Sequence, residues 1–421
     1  MNSEIEKKIE SLVESAEESL RESFLEIDRR TFAIQKKVLK AFIDNRVSDS
    51  HFAWRTGYGY NDDGRDIVEK VYAQVFSAEK ALVRTNIVNG THAISLAILG
   101  VLKAGDKLLY CTGEPYDTLQ SIIGTEGAPE PGTLRELEID YGSIELIDGE
   151  FDYDSIEKII KEENPKMLAI QRSTGYGWRK TITVNQIEEF VNLVRSLGSS
   201  AVIMIDNCYC EFISLNEPSA VGADIVCGSL IKNPGGGLAL SGGYIVGRED
   251  LIDRIAFRLT CPGIGSECGL TFGQTRAMLQ GFFMAPHITA GALKSAILLG
   301  EVYSKLGFEI CPDSSMERAD IIQAIRLGSP EAVSAFCKGV QSASPIDSFA
   351  APVASEMPGY DDDIIMAAGT FVQGASIELS ADGPMREPYN VYYQGALTYE
   401  HGKIGLLSSL KSLEEEGILD I

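Results

Sequence analysis

Leu12, Ala16, Leu20 and Phe24 recur every fourth residue in a stretch otherwise rich in Glu, Lys and Arg, and the helical period runs from Ser3 to about Ile43. This spacing predicts an N-terminal helical arm within residues 1–51. From Phe52 to Asp63 the chain turns aromatic and glycine-rich, the pattern of a loop. Beyond it the periods alternate. Helical spacing covers Asp66 to Phe76, Thr91 to Leu102 and Val184 to Leu197, the last ended near Gly198. Short apolar runs cover Ala81 to Asn86, Lys107 to Cys111, Met167 to Gln171, Ala201 to Ile205, Ile225 to Leu230 and Gly243 to Val246. The run at Ala201 is apolar throughout, as a strand covered on both faces requires. Strands alternating with helices predict an α/β fold with a doubly wound, mostly parallel sheet. A long helix from Ile288 to Leu306 stops at Gly307, and the remainder to Ile421 mixes strands and helices. The expected division is an arm at 1–51, a large α/β domain at 52–290 and a smaller C-terminal α+β domain at 291–421.

Composition narrows the class. The 421 residues are 44% hydrophobic, enough for a sizeable core. Lys and Arg total 37 against 61 Asp and Glu, a net charge of −24. Such a chain is repelled by nucleic acid and by anionic membrane surfaces, so neither is an expected partner. An anionic ligand must then be held by a local positive site. The N-terminal residues carry no signal-peptide pattern, and no apolar run approaches a membrane span. Eight cysteines without a C-x-x-C pair, beside four histidines, predict reduced thiols, no metal site and a cytoplasmic location.

Four short segments carry candidate chemistry. Gly228-Ser229-Leu230-Ile231-Lys232-Asn233-Pro234-Gly235-Gly236-Gly237 puts one lysine between a buried strand and a glycine-rich loop. Desolvation there is expected to lower the amine pKa and make Lys232 a nucleophile able to form a Schiff base, with Ser229 in reach of a phosphate. Asp206 closes an apolar strand at the carboxyl edge of the sheet, where open α/β sheets bind ligands. There it can pair with a protonated ring nitrogen or cap the next helix. Asn89-Gly90-Thr91-His92 opens a helix after a strand and offers backbone N–H groups to a phosphate. Tyr116, in Glu114-Pro115-Tyr116-Asp117, stands where it can stack on an aromatic ring. No G-x-G-x-x-G and no G-x-x-x-x-G-K is present, which disfavours dinucleotide and nucleoside-triphosphate binding.

In chain order these read as phosphate turn, stacking aromatic, ring-nitrogen aspartate and Schiff-base lysine. The set resembles the fold-type I pyridoxal-phosphate (PLP) enzymes. The nearest likeness is to their cystathionine β-lyase and methionine γ-lyase group, in the branch called aluminium-resistance proteins. The block Ile205-Asp206-Asn207-Cys208-Tyr209-Cys210-Glu211-Phe212, followed by Ser229-Leu230-Ile231-Lys232, is its most specific part. The resemblance implies a seven-stranded sheet and PLP as cofactor. It assigns Lys232 to anchor the cofactor and shuttle the α-proton, and Asp206 to hold the pyridine nitrogen. Gly90, Thr91 and Ser229 would bind the phosphate, and Tyr116 would stack on the ring and protonate a leaving group. Tyr209 occupies a position where aminotransferases of this fold place a tyrosine against the ring oxygen, a departure from the lyases. Family lyases also complete the phosphate site with a Tyr-x-Arg from a neighbouring chain. Here Tyr58-Gly59-Tyr60 is followed by a displaced Arg65, so Tyr58, Tyr60 and Arg65 are candidates, and a homodimer or homotetramer with shared sites is expected.

The substrate carboxylate calls for a bidentate arginine. Arg386, in Gly383-Pro384-Met385-Arg386, is the first candidate, and Arg172, with Ser173 beside it, is the second. The expected activity is carbon–sulfur bond cleavage by β- or γ-elimination in a small sulfur amino acid such as cystathionine or methionine. Transamination, aldol cleavage and racemisation stay open, as does a non-catalytic, PLP-binding stress-response role.

Overall fold

A computed structural model describes residues 3–124, 131–357, 360 and 362–420. Seven strands form the larger sheet: β1 (Lys80–Arg84), β2 (Lys107–Tyr110), β3 (Asp140–Ser143), β4 (Met167–Gln171), β5 (Val202–Asp206), β6 (Ile225–Ser229) and β7 (Gly243–Gly247). Their order is β1-β7-β6-β5-β4-β2-β3. β2 to β6 pair in parallel, and β7 runs antiparallel to both β1 and β6. Every residue of β4, β5, β6 and β7 is buried, the reason their sequences read as apolar runs up to the polar ends Gln171, Asp206 and Ser229.

Helices cover both faces: α3 (Asp63–Phe76), α4 (Gly90–Val101), α5 (Asp117–Ile123), α6 (Tyr153–Glu163), α7 (Val184–Ser196) and α8 (Glu249–Leu259). They follow α1 (Ser3–Ser19) and α2 (Arg21–Asp44) and precede the long α9 (Thr275–Lys305). A second sheet, ordered β10-β11-β12-β9-β8, contains β8 (Glu309–Cys311), β9 (Gln323–Arg326), β10 (Ile364–Ala367), β11 (Ser380–Pro384) and β12 (Asn390–Gln394). Helices α10 (Pro330–Ser342) and α11 (Tyr399–Glu415) pack beside it.

The expected strands are all present, within one or two residues at their ends. β3 and the helices α5, α6 and α8 lay outside the sequence reading. The long helix starts at Thr275 rather than Ile288, because Pro286 is accommodated inside it. That helix joins the two cores: Met278 to Ala285 belong to the core under the large sheet, and Ile288 to Tyr303 to the core under the small one. Among the described residues, α9 is the one helix long and apolar enough to cross a bilayer, but 72% of its apolar window is buried within the protein. The N-terminal arm is two helices broken at Leu20, folded back on the chain. Glu17 holds Tyr399 and Lys403 of α11, and Asp28 holds Lys294 of α9.

Candidate functional site

Three backbone ends converge on one cavity. β4, β5 and β6 are paired so that Gln171, Asp206 and Cys227 stand side by side at the carboxyl edge. Opposite them α4 begins at Gly90, with Asn89 as its cap accepting from the His92 N–H at 2.8 Å. Strand β6 then delivers Ser229 and, three residues on, Lys232. The cavity at this junction has a volume of about 550 Å³. Its walls include Gly90, Thr91, Tyr116, Ser173, Asp206, Tyr209, Ser229, Lys232 and Arg386. Nine of the residues picked from sequence, spread from position 90 to 386, therefore share one space.

The end of the cavity at α4 is built by close approach. A Cβ on Gly90 would lie 3.1 Å from Cys208 Sγ and 3.3 Å from Ser229 Cβ, so the helix start and the end of β6 nearly touch. The first-turn N–H groups of α4 open here and favour an anion through hydrogen bonding and the helix dipole. Thr91 Oγ1 and the Tyr116 hydroxyl are 2.8 Å apart, and the Tyr116 N–H donates to Gln171 Oε1 at 3.0 Å. Burial, with the Asp206 carboxylate adding to it, holds the Tyr116 hydroxyl well above its ordinary pKa.

Asp206 is fully buried, and its Oδ1 accepts from the Cys208 N–H at 3.1 Å. Burial pushes its carboxyl up, and nearby Lys232 acts against the rise. A carboxylate at the floor of an apolar sheet edge needs a cationic partner, and a protonated ring nitrogen would supply one.

Lys232 Nζ donates to Ser376 Oγ at 3.0 Å and lies 3.7 Å from the centroid of the Tyr209 ring. Tyr209 is held at φ 72°, a left-handed conformation rare for a tyrosine, which aims its ring at the lysine. The amine pKa corrects the sequence expectation. Burial pulls it down, but Tyr209, Cys208 and Glu211 together outweigh burial and raise it. The sequence showed the desolvating strand but not the acceptors around the ammonium.

Below this floor lies a buried polar network. Arg172 Nε donates to Ile182 O at 3.1 Å, and its Nη1 donates to Asn207 Oδ1. Asn207 Nδ2 donates to Glu217 Oε2 at 3.0 Å, while the Tyr244 hydroxyl donates to Glu211 Oε1 at 2.7 Å. Arg172, the second candidate for the substrate carboxylate, is completely buried and does not line the cavity; it fixes Asn207, next to Asp206. Ser173 does line the cavity, with its carbonyl accepting from Arg179 Nη2 at 2.6 Å. Arg386 reaches the rim and pairs with Asp362 at 2.9 Å.

Tyr58 and Tyr60 do not line this chain's cavity. They are exposed and stacked on each other, ring centroids 5.4 Å apart. Arg65 is no phosphate ligand in this chain: its guanidinium is buried and donates to the carbonyls of Gly59, Glu267 and Gly269.

Sequence reasoning missed Gln171, Ser376, Tyr176, Arg179 and Tyr360. Gln171 sits at the same strand edge as Asp206 and was recoverable from register. Ser376 lies 144 residues beyond Lys232 and is brought in by the second sheet, for which no local signal exists.

Comparison with known proteins fits this geometry. A family model described as methionine gamma-lyase matches residues 9–414. Protein YnbB of Bacillus subtilis (strain 168) is 47% identical over 384 residues, 91% of each chain. A carbon-sulfur lyase involved in aluminum resistance from Clostridium novyi NT is 46% identical. Its structure superposes with a TM-score of 0.92 over 96% of this chain and 95% of that one. The pyridoxal-5'-phosphate dependent protein YhfS from Escherichia coli, at 16% identity, shares the fold with a TM-score of 0.62 over 93% and 97% of the two chains. The fold is thus that of the fold-type I PLP enzymes, and the chain belongs to the methionine gamma-lyase family.

Proposed function

We propose that this protein is a PLP-dependent carbon–sulfur lyase that cleaves a small sulfur amino acid of the cystathionine or methionine kind by β- or γ-elimination. The observation that carries the reading is one cavity in which Lys232, Asp206 and the amino end of α4 face each other. That donor set fits PLP: amide donors for a phosphate, a buried carboxylate for a ring nitrogen and a lysine for the aldehyde carbon. When bound, PLP supplies an electron sink for charge developing at the substrate α-carbon.

The side chains then divide the remaining work. Lys232, steadied by Ser376 and Tyr209, takes the α-proton once its amine is free. Tyr116, whose hydroxyl stays protonated far above neutral pH, gives a proton to the departing sulfur. Arg386 exchanges Asp362 for the substrate carboxylate, a bidentate geometry that arginine favours. Tyr58 and Tyr60, exposed in this chain, would serve a neighbouring chain's phosphate end in a homodimer or homotetramer. Eight free cysteines, four of them buried beside or within the large sheet, support a cytoplasmic location.

The test is product analysis on cystathionine and methionine. A keto acid with ammonia and a thiol, formed without an added keto acid, is the expected result. Turnover that depends on an amino acceptor would make the protein a transaminase instead. Lys232→Ala should lower turnover at least ~10⁴-fold, as loss of a covalent catalytic group does.

A further inference from the structure

One face of the small sheet meets the cavity wall, and it carries a carboxylate that the proposed elimination does not use. Within β11 the residues Ser380, Ala381, Gly383 and Pro384 are buried, and Asp382 keeps contact with solvent. Side chains alternate along a strand, so Ala381 packs into the core under the small sheet and Asp382 takes the opposite face. Asp382 stands opposite Tyr392 of β12. Tyr392 packs on Tyr176, ring centroids 5.2 Å apart, and its hydroxyl donates to the Tyr176 carbonyl. The Tyr360 ring meets Tyr176 at 5.7 Å, and both rings line the cavity.

The charges around Asp382 leave it short of a cation. Among the described residues, Gln394 Nε2 donates to Asp382 Oδ2 at 3.1 Å, Tyr176 hydrogen-bonds it, and Lys232 is the cation acting on it. Burial pushes its carboxyl up to about 6, so it is ionised at neutral pH. Lys232 is turned to Ser376 and the Tyr209 ring, and the proposed cofactor would take its amine. The other basic residues of the cavity wall are engaged. Arg179 donates to the carbonyls of Gln171, Ser173 and Lys180, and Arg386 pairs with Asp362. The remaining charges of the wall are acidic: Glu114, Asp117, Glu145 and the Asp206 assigned to the ring nitrogen. A carboxylate this deep calls for a cation, and the faces of tyrosine rings attract one.

We propose that Asp382, with Tyr176 and Tyr360, forms a subsite for an ammonium group at the far end of the substrate side chain, a group that cystathionine has and methionine lacks. The subsite rests on the lyase reading, which sets the substrate's α-amino group at Lys232 and its carboxylate at Arg386 and leaves this wall to the side chain.

Calorimetry on the PLP-loaded protein tests it with two ligands that hold no leaving group. Lysine and 2-aminoheptanoate match in length and differ in ending on an ammonium or a methyl. Lysine should bind at least ~10-fold more tightly, and Asp382→Asn should bring the two within about twofold of each other. Equal binding in the parent protein, which needs no variant to fold, overturns the proposal. So does a lysine preference that survives in a folded Asp382→Asn. Turnover separates the subsite from the reaction. S-(2-aminoethyl)cysteine should be cleaved at least ~10-fold more efficiently than S-propylcysteine. Equal cleavage of both removes the subsite and keeps the lyase. A lysine preference without cleavage of either keeps the subsite and removes the carbon–sulfur step.

Discussion

Two arginines near the site make opposite predictions. Arg172 is sealed below the floor and holds Asn207, which in turn holds Glu217. Arg172→Ala would leave the buried Asn207 Oδ1 without its donor, at a cost of about 1–3 kcal/mol. The thermal midpoint of the holoprotein should fall by several degrees, while KM in the surviving fraction stays put. Arg386 is half exposed at the rim, so Arg386→Ala should leave the thermal midpoint nearly unchanged and raise KM by roughly tenfold or more, the loss of a charged bidentate contact. Equal effects of the two variants on KM would return Arg172 to the substrate site. Both arginines read alike in sequence. Arg172 follows an apolar strand as Asp206 does, and only the packing beneath the sheet separates a ligand from a buried brace.

Glu211 gives a pH dependence at the same scale. Burial pushes its carboxyl up to about 8, against 4.5 in an unfolded chain, with Tyr244 and Lys232 opposing the rise. Between those values the folded state keeps a proton that the unfolded state releases. The unfolding free energy therefore falls as pH rises from about 4.5 to 8. Asp320 and Asp382, each pushed up to about 6 by burial, steepen the lower part of that window. Glu211→Gln should flatten the upper part in denaturant titrations at several pH values. An unchanged slope between pH 6 and 8 would show that Glu211 is ionised in the fold.

Among the described elements, α4 carries the proposed phosphate end at its start. Gly90 admits the close approach of Cys208 and Ser229, and a methyl group there would meet sulfur at 3.1 Å. Gly90→Ala should weaken PLP retention about tenfold, or ~1.4 kcal/mol, with the far-ultraviolet spectrum preserved. Retention equal to the parent would place the phosphate elsewhere. The central strands of the large sheet were legible because burial on both faces keeps them apolar up to their carboxyl ends, where Gln171, Asp206 and Ser229 stand. β3 (Asp140–Ser143) is an edge strand with an exposed or half-buried residue at each position, and it carried no such signal. Helices α6 and α8 do carry an apolar stripe, Ile156 and Ile160 in one and Leu251, Ile252, Ile255 and Ala256 in the other, which was recoverable from their period. The start of α9 was hidden by Pro286, which sequence rules treat as a boundary.

For the whole molecule, the question is how residues hundreds of positions apart come to one place. Gly90, Asp206 and Lys232 were legible together because each sits at the end of a strand or the start of a helix in one sheet, and the sheet's order is set by local pattern. Ser376 and Tyr360 were not, because they come from the second sheet and the chain leading into it, whose placement depends on α9 and the shared cores. In a chain of charge −24 the basic Lys232, Arg179 and Arg386 of the cavity wall stand among the acidic Glu114, Asp117, Glu145 and Asp206, so the proposed anionic cofactor would rely on these few cations and the start of α4.

The proposed function stands or falls with Lys232 as the carrier of pyridoxal phosphate. The most direct measurement is the visible absorption spectrum of the purified protein, then borohydride reduction and peptide mapping. A yellow protein whose reduced adduct maps to Lys232, with Lys232→Ala colourless after reduction and dialysis, is the predicted result. A protein that stays colourless when pyridoxal phosphate is added, or an adduct on another lysine, would contradict it.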